Sequence, residues 1–200
     1  MPKERADAAR NRRAILAATE RLLAAHRPQD VSMEQVAAES GVAKGTVFHR
    51  FGNRAGLMLA LMVERAHALE EAVQTGPPPL GEGTPDRDRL LAFVDAIVDV
   101  VSRNKSLLAE LSRSGVTLPS SEEYHAEQEN PYAVYTFWHG HVSTLLHAEK
   151  PTLDADTVAH VLLGSLHSDP VLAQLTTEEP ERLKGTLRVM IIALLDAPPG

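Results

Sequence analysis

Between Gly41 and Leu57 the sequence GVAKGTVFHRFGNRAGL places Lys44, Gly45, Thr46, Phe48, His49 and Arg50 within seven residues, framed by two glycines. These residue types suit the edge of a nucleic-acid groove. Lysine and arginine neutralise phosphates, threonine donates to a phosphate or touches a thymine methyl, and arginine grips guanine. Gly45 removes a side chain where the start of a helix would approach a backbone. Arg54 follows Asn53, a helix-cap residue, and so sits at a helix N-terminus, which also favours phosphate.

Other chemistries find less support. With no cysteine in 200 residues there is no disulfide framework, thiolate zinc site or cysteine nucleophile. Serines are abundant, but none lies on a strand-turn-helix elbow of the G-x-S-x-G type, so no catalytic residue is assigned and no enzyme is expected. Among nine histidines, His139 and His141 are two apart and do not share a helix face. His160 and His167 do share one, with Gly164 between them, but without an obvious carboxylate partner. Neither a metal nor a cofactor is expected.

The formal net charge of −7 argues against a general affinity for nucleic acid, yet it is unevenly distributed. Residues 1–56 hold ten Lys and Arg against six Asp and Glu, a net +4, whereas residues 57–200 carry −11. A basic head on an acidic body presents one face to a polyanion while the remainder repels it. The charged N-terminus lacks an apolar signal core, and no apolar run reaches the roughly 18 residues of a membrane span. With the absence of cysteine, this predicts a cytoplasmic protein with no membrane partner.

The elements that must position the basic stretch are helical, for nothing alternates with the two-residue period of a strand. A first helix is predicted over about residues 6–26, with Ile15, Leu16, Thr19, Leu22 and Leu23 as its inward stripe, ending near Pro28. VSMEQV then opens a second: Ser32 caps the free amides, Gln35 completes a capping box, and Val31 with Val36 form a hydrophobic staple. Gly41 supplies the turn, and a third helix of about seven residues is held through Val42, Val47 and Phe51. A fourth is predicted over 54–75 as a connector whose buried face shifts along its length, through Leu57, Leu61, Glu64, Ala68 and Val73. GPPPLGEGTP, residues 76–85, reads as a linker.

Further on, RDRLLAFVDAIVDVVSRN predicts a buried central helix carrying Leu90, Leu91, Phe93, Val94, Ile97, Val98 and Val101. SLLAELSRS predicts a separate shorter helix, and GVTLPSSEEYHAEQENP an acidic loop. The next helix aligns Tyr135, Trp138, Val142 and Leu145 or Leu146, with His139 beside them. A final pair covers about 154–168 and 179–197.

In order and spacing, VSMEQVAAESGVAKGTVFHRFGNRAGLMLAL, residues 31–61, resembles the helix-turn-helix of TetR-type transcriptional regulators. The resemblance runs from the amphipathic first helix through Val36-Ala37, Gly41-Val42 and Gly45-Thr46-Val47 to the aromatic pair Phe48 and Phe51 and the basic start of the fourth helix. It implies an all-α chain, with a three-helix DNA-binding domain over 1–53, connecting helix 54–75 and a helical effector-binding and dimerisation domain over 76–200. His49 and Arg50 match positions that face DNA in relatives, while Ser32, Lys44, Thr46 and Arg54 match phosphate or groove-edge positions. Two departures stand out. Ala43 replaces a common capping serine, a loss of about 1 kcal/mol. Phe48 replaces the usual tyrosine and can pack on sugar and backbone without the phosphate hydrogen bond.

The resemblance also implies a homodimer, with a four-helix interface made from the last two helices of each subunit. Val158, Val161, Leu162 and Leu166, with Leu183, Leu187, Met190, Ile191 and Leu194, provide stripes for it, or equally for an internal core. Two reading helices one DNA turn apart imply a near-palindromic, double-stranded operator. A pocket lined by Phe93, Ile97, Leu108, Tyr135, Trp138 and His139 would suit a mostly apolar small-molecule effector with one or two polar handles. The expected function is ligand-responsive regulation, most simply repression. The alternative is a helical small-molecule-binding or interaction protein whose operator binding has weakened.

Overall fold

The structure is a computed structural model of the 200-residue chain, describing the backbone of residues 2–113, 131–166, 168, 171, 175 and 180–198. Among these residues there are eight α-helices, one 3-10 turn and no strand. The helices are α1 Pro2–Ala25, α2 Met33–Ser40, α3 Lys44–Phe51, α4 Arg54–Thr75, α5 Asp86–Arg113, α6 Pro131–Glu149, α7 Ala155–Ser165 and α8 Pro180–Asp196. The predicted acidic loop from Gly115 to Pro131 lies outside the described residues, except for Pro131 at the start of α6. The chain divides into two compact units, Met1–Glu64 with Ser106–Glu123, and Arg65–Lys105 with Tyr124–Gly200. Both α4 and α5 therefore contribute residues to each unit.

In the first unit, α1 buries Ile15, Leu16 and Thr19, while Leu22 and Leu23 pack partly buried against the same core. The Thr19 hydroxyl donates to the Ile15 carbonyl at 2.9 Å, which removes the cost of burying it. α1 begins earlier than expected because its first turns are rich in Lys, Glu, Arg and Ala, all strong helix formers. Around this stripe gather Val31, Met33 and Val36, then Val47 and Phe51, then Leu57, Met58 and Leu61, with Leu107 from α5. Ion pairs fasten the rim: Arg12 to Glu64 at 2.6 Å and Arg21 to Glu39 at 2.7 Å.

α2 begins as its sequence predicts. Ser32 Oγ accepts from the Gln35 amide at 3.2 Å, and the Gln35 side chain accepts from the Ser32 amide at 2.8 Å. It ends on Gly41, whose φ of 68° lies in the left-handed region that side chains with a Cβ avoid.

The second unit has a larger core. All seven predicted α5 residues are buried, as are Leu69 and Val73 of α4, Trp138, Val142, Leu145 and Leu146 of α6, Leu162 and Leu163 of α7, and Leu187, Ile191 and Leu195 of α8. Two expectations are corrected here. SLLAELSRS is not a separate helix but the continuation of α5. No glycine or proline interrupts the chain there, and buried Asn104 is satisfied by Arg65 Nη1, which donates to its side-chain oxygen at 2.8 Å. Nor is the segment 76–85 a free linker: Leu80 packs on the core, and Gly81 donates to the Pro77 carbonyl at 3.2 Å. Asp154 caps α7 by accepting from the Thr157 amide at 3.1 Å, which holds its carboxyl below the usual range. Lys150 donates to the Leu194 and Ala197 carbonyls at 2.9 and 2.7 Å, closing the end of α8.

His141 meets the Phe93 ring edge-on at 4.6 Å and stacks near Phe137 at 6.1 Å. Burial, and secondarily the positive charge of Arg89, lower its pKa from the ordinary 6.5.

Two predictions follow from this packing. Ser32→Ala should cost about 1 kcal/mol in urea unfolding, and an unchanged midpoint would contradict the capping role. Below pH 6.5 the unfolded chain protonates His141 before the folded chain does, so stability should fall as pH drops through that value. His141→Leu should flatten this part of the stability–pH profile relative to the parent. An identical slope in both proteins would show that His141 does not titrate in this way.

Candidate nucleic-acid interface

α3 has eight residues, too few to be stable alone, and the buried pair Val47 and Phe51 fixes which side faces inward. The opposite side carries Lys44, Gly45, Phe48, His49 and Arg50, all exposed, with Thr46 half-buried between the two faces. Six predicted residues therefore fall on one short helix, and five of them face solvent.

The start of α3 has no side-chain cap, since Ala43 offers no acceptor. The Thr46 amide donates to the Ala43 carbonyl at 2.9 Å, which leaves the Lys44 and Gly45 amides at the helix start to water or an anion. A Cβ built on Gly45 would meet nothing within 4 Å, so internal packing does not require glycine there. Close approach from outside is one use for the missing side chain.

Lys44 Nζ lies 2.6 Å from Glu34 Oε1 and 5.5 Å from the centre of the Phe48 ring. The lysine holds the Glu34 carboxyl below its ordinary range, chiefly through that hydrogen bond. Phe48 is 37% exposed, unusual for so large an apolar side chain.

Ser32 and Arg54 have internal duties. The Ser32 oxygen is occupied by the capping box, although its hydroxyl proton remains available to a second partner. Arg54 is half-buried, and its Nη2 donates to the Pro28 carbonyl at 2.5 Å. The guanidinium thus ties the start of α4 to the 3-10 turn at Pro28–Asp30, where an outward phosphate contact had been expected. Asn53 caps α4 as anticipated, accepting from the Gly56 amide at 3.0 Å.

In the second unit, Phe93, Ile97 and Trp138 are buried, Tyr135 and His139 are partly buried, and the Leu108 side chain lies outside the described residues. Among the described residues, buried Trp138 Nε1, His141 Nε2 and Lys105 Nζ have no hydrogen-bond partner. The last two are absent from the predicted pocket set. Neither showed a sequence signal beyond helical spacing. Desolvation lowers the Lys105 pKa, as expected for an ammonium kept from water.

The predicted dimer stripe separates into two groups. Leu162, Leu166, Leu187 and Ile191 are internal core, with Val158 and Leu183 packed against it and Leu194 half-buried, so the first four are corrected from interface to core. Val161 and Met190 are 63% and 54% exposed, beside the unpredicted Val189 at 68% and Ile192 at 38%. Helical spacing finds an apolar helix but does not say which of its sides the same chain covers.

One histidine expectation is also corrected. His160 does have a carboxylate on its own face, Asp156 four residues earlier, and His139 of α6 joins them. No described helix is long and apolar enough to cross a membrane.

Comparison with known proteins begins with residues 15–61, which match the family model of bacterial regulatory proteins, tetR family. No curated protein matches the chain. Among solved structures, a protein of Rhodococcus sp. described as a TetR-family transcriptional regulator has a TM-score of 0.61 at 20% identity, covering 94% of this chain and all of that one. FadR from Bacillus subtilis, in complex with stearoyl-CoA, gives 0.54 at 13% identity, covering 90% of this chain and 97% of that one. AibR, in complex with isovaleryl coenzyme A and operator DNA, gives 0.53 at 19%, covering 90% and 97%. Residues 15–61 thus match the segment that defines the tetR family of bacterial regulatory proteins, and the chain shares the all-helical fold of these solved structures.

Proposed function

We propose that this regulator is a ligand-responsive homodimer that represses from a near-palindromic operator and leaves it when a small molecule binds. The observation that carries this reading is the outward face of α3, where Lys44, Gly45, Phe48, His49 and Arg50 stand exposed because Val47 and Phe51 hold the other face in the core. Arg50 and His49 read base edges in the major groove, Lys44 and Thr46 meet phosphate, and the uncapped Lys44 and Gly45 amides donate to a further phosphate oxygen. Phe48 packs on the sugar-phosphate backbone. On DNA, Lys44 exchanges Glu34 for phosphate.

Dimerisation uses exposed apolar side chains of the last two helices, Val161 on α7 and Val189, Met190 and Ile192 on α8, which the single chain leaves in water. Effector binding is supported by Trp138 Nε1, His141 Nε2 and Lys105 Nζ, buried polar atoms that want partners. Two of the three are firm donors, so the effector is a mainly apolar molecule carrying a hydrogen-bond acceptor such as a carbonyl or carboxylate. It releases DNA by binding best to a conformation in which the two heads are wrongly spaced. Because acyl-CoA ligands occur in two structures of the same fold, a panel of acyl thioesters is a sensible first screen. The chain's one tryptophan, Trp138, serves as the fluorescent reporter.

A binding site for testing can be enriched from random duplex DNA. Arg50→Ala should lose about 1–3 kcal/mol of binding and relax the sequence preference. Lys44→Ala should weaken binding to all duplexes and lower the salt slope by about one. If neither change alters affinity while both proteins remain folded, the docking face is wrong and the small-molecule-binding alternative gains. Val189→Glu with Met190→Glu should convert the dimer to a monomer in sedimentation equilibrium. A persisting dimer would place the interface elsewhere.

A further inference from the structure

Four side chains from two helices converge at one place in the second unit: Tyr135 and His139 from α6, Asp156 and His160 from α7. Each pair is spaced i, i+4, so each helix presents its two groups from successive turns. One ligand atom from each of His139, Asp156 and His160 lies within 4.8 Å of the other two. His139 Nε2 is 3.5 Å from Asp156 Oδ1, and His160 Nε2 is 3.9 Å from Asp156 Oδ2. The two imidazole rings are 3.9 Å apart, centre to centre.

We propose that these three residues bind one divalent transition-metal ion of the zinc class. The distances between the imidazole nitrogens and the Asp156 carboxylate are those that carry this reading. Both nitrogen-to-carboxylate separations exceed a normal hydrogen bond of about 2.7–3.2 Å. They approach the edge of a tetrahedron around zinc, about 3.4 Å when the ligands lie about 2.0–2.1 Å from the metal. Bringing all three atoms onto a common ion needs side-chain adjustments of about 1 Å, compatible with the exposed positions of Asp156 and His160.

The surroundings also suit a metal. Tyr135 Oη lies 2.7 Å from His160 Nδ1. With the proton on Nδ1 and donated to the tyrosine oxygen, the lone pair of Nε2 points towards the carboxylate, the outer-sphere arrangement typical of metal-bound histidine. His139 Nε2 lies 3.1 Å from the Asp156 carbonyl oxygen and gives up that contact when it turns its lone pair to the ion. Two imidazoles and one carboxylate suit zinc, nickel or copper better than magnesium or calcium. The three protein ligands leave a fourth position for water. Bound there, the ion fastens α6 to α7, the helix that also carries exposed Val161. None of this depends on the reading of α3.

The test uses the full chain, stripped of metal with a chelator and titrated with zinc chloride in a calorimeter. One zinc should bind per chain, and cobalt(II) in its place should give the visible absorption of a tetrahedral site. His139→Ala and His160→Ala should each abolish this binding or weaken it by about a hundredfold or more, with folding checked by circular dichroism. His160→Gln provides a gentler variant if alanine unfolds the protein. Tyr135→Phe should keep the stoichiometry and weaken affinity about tenfold. His147→Ala, an exposed histidine in the last turn of α6, should change nothing. Absence of a one-to-one site in the parent protein, or equal zinc binding by the His139 and His160 variants, would overturn the proposal.

Discussion

An eight-residue helix cannot hold its own shape in water, so everything α3 does depends on the burial of Val47 and Phe51. Those two side chains enter a core already formed by Ile15 and Leu16 of α1, Val36 of α2, and Leu57 and Leu61 of α4. Each fully buried aliphatic or aromatic group contributes about 1.5–3 kcal/mol. The same contacts dictate orientation: once Val47 and Phe51 face inward, the intervening Phe48, His49 and Arg50 face outward. The exposed residues of α3 are therefore placed by apolar residues on its other side. Gly41 and the Ser32–Gln35 box set the entry angle, and Arg54 secures the start of the following helix to the Pro28 carbonyl.

The second unit meets a different constraint. Its core takes one side of α7 and one side of α8, leaving Val161, Val189, Met190 and Ile192 exposed. Ion pairs hold α8 in place while its outer side stays apolar: Arg188 with Asp95, and Lys184 with Asp99 at 2.7 Å. A helix fixed so firmly on one side and left bare on the other is well suited to meet a second copy. Among the described residues, the buried Trp138, His141 and Lys105 atoms have no partner, and a buried polar atom costs stability until something pairs with it. On the proposed function, a small molecule with matching acceptors supplies those partners.

Much of the DNA-binding segment was legible from sequence because its signals are local. A capping box spans four residues, a left-handed turn needs one glycine, and the short interval between Val47 and Phe51 gives the inward side of α3. The second unit was harder. That α5 continues through Asn104 depends on Arg65, thirty-nine residues away in sequence, satisfying the buried amide. Which of Leu162 and Val161, or Ile191 and Met190, faces the core depends on how α7 and α8 pack, which periodicity alone does not decide. The Asp156–His160 spacing is visible in the sequence, while the contribution of His139 requires two helices to meet. Arg54 was harder to place for a related reason: its Nη2 donates to the Pro28 carbonyl, which also accepts from the Val31 amide at 3.3 Å, and no local signal marks a contact twenty-six residues away.

On the proposed function, α3 enters the major groove as one of a symmetric pair. The most direct test is a hydroxyl-radical footprint on a selected duplex, repeated after methylation of guanine N7 in the major groove. Two protected patches about one helical turn apart, related by a two-fold axis, are expected, with binding blocked by methylation. A single unsymmetric patch, or binding indifferent to major-groove methylation, would contradict it.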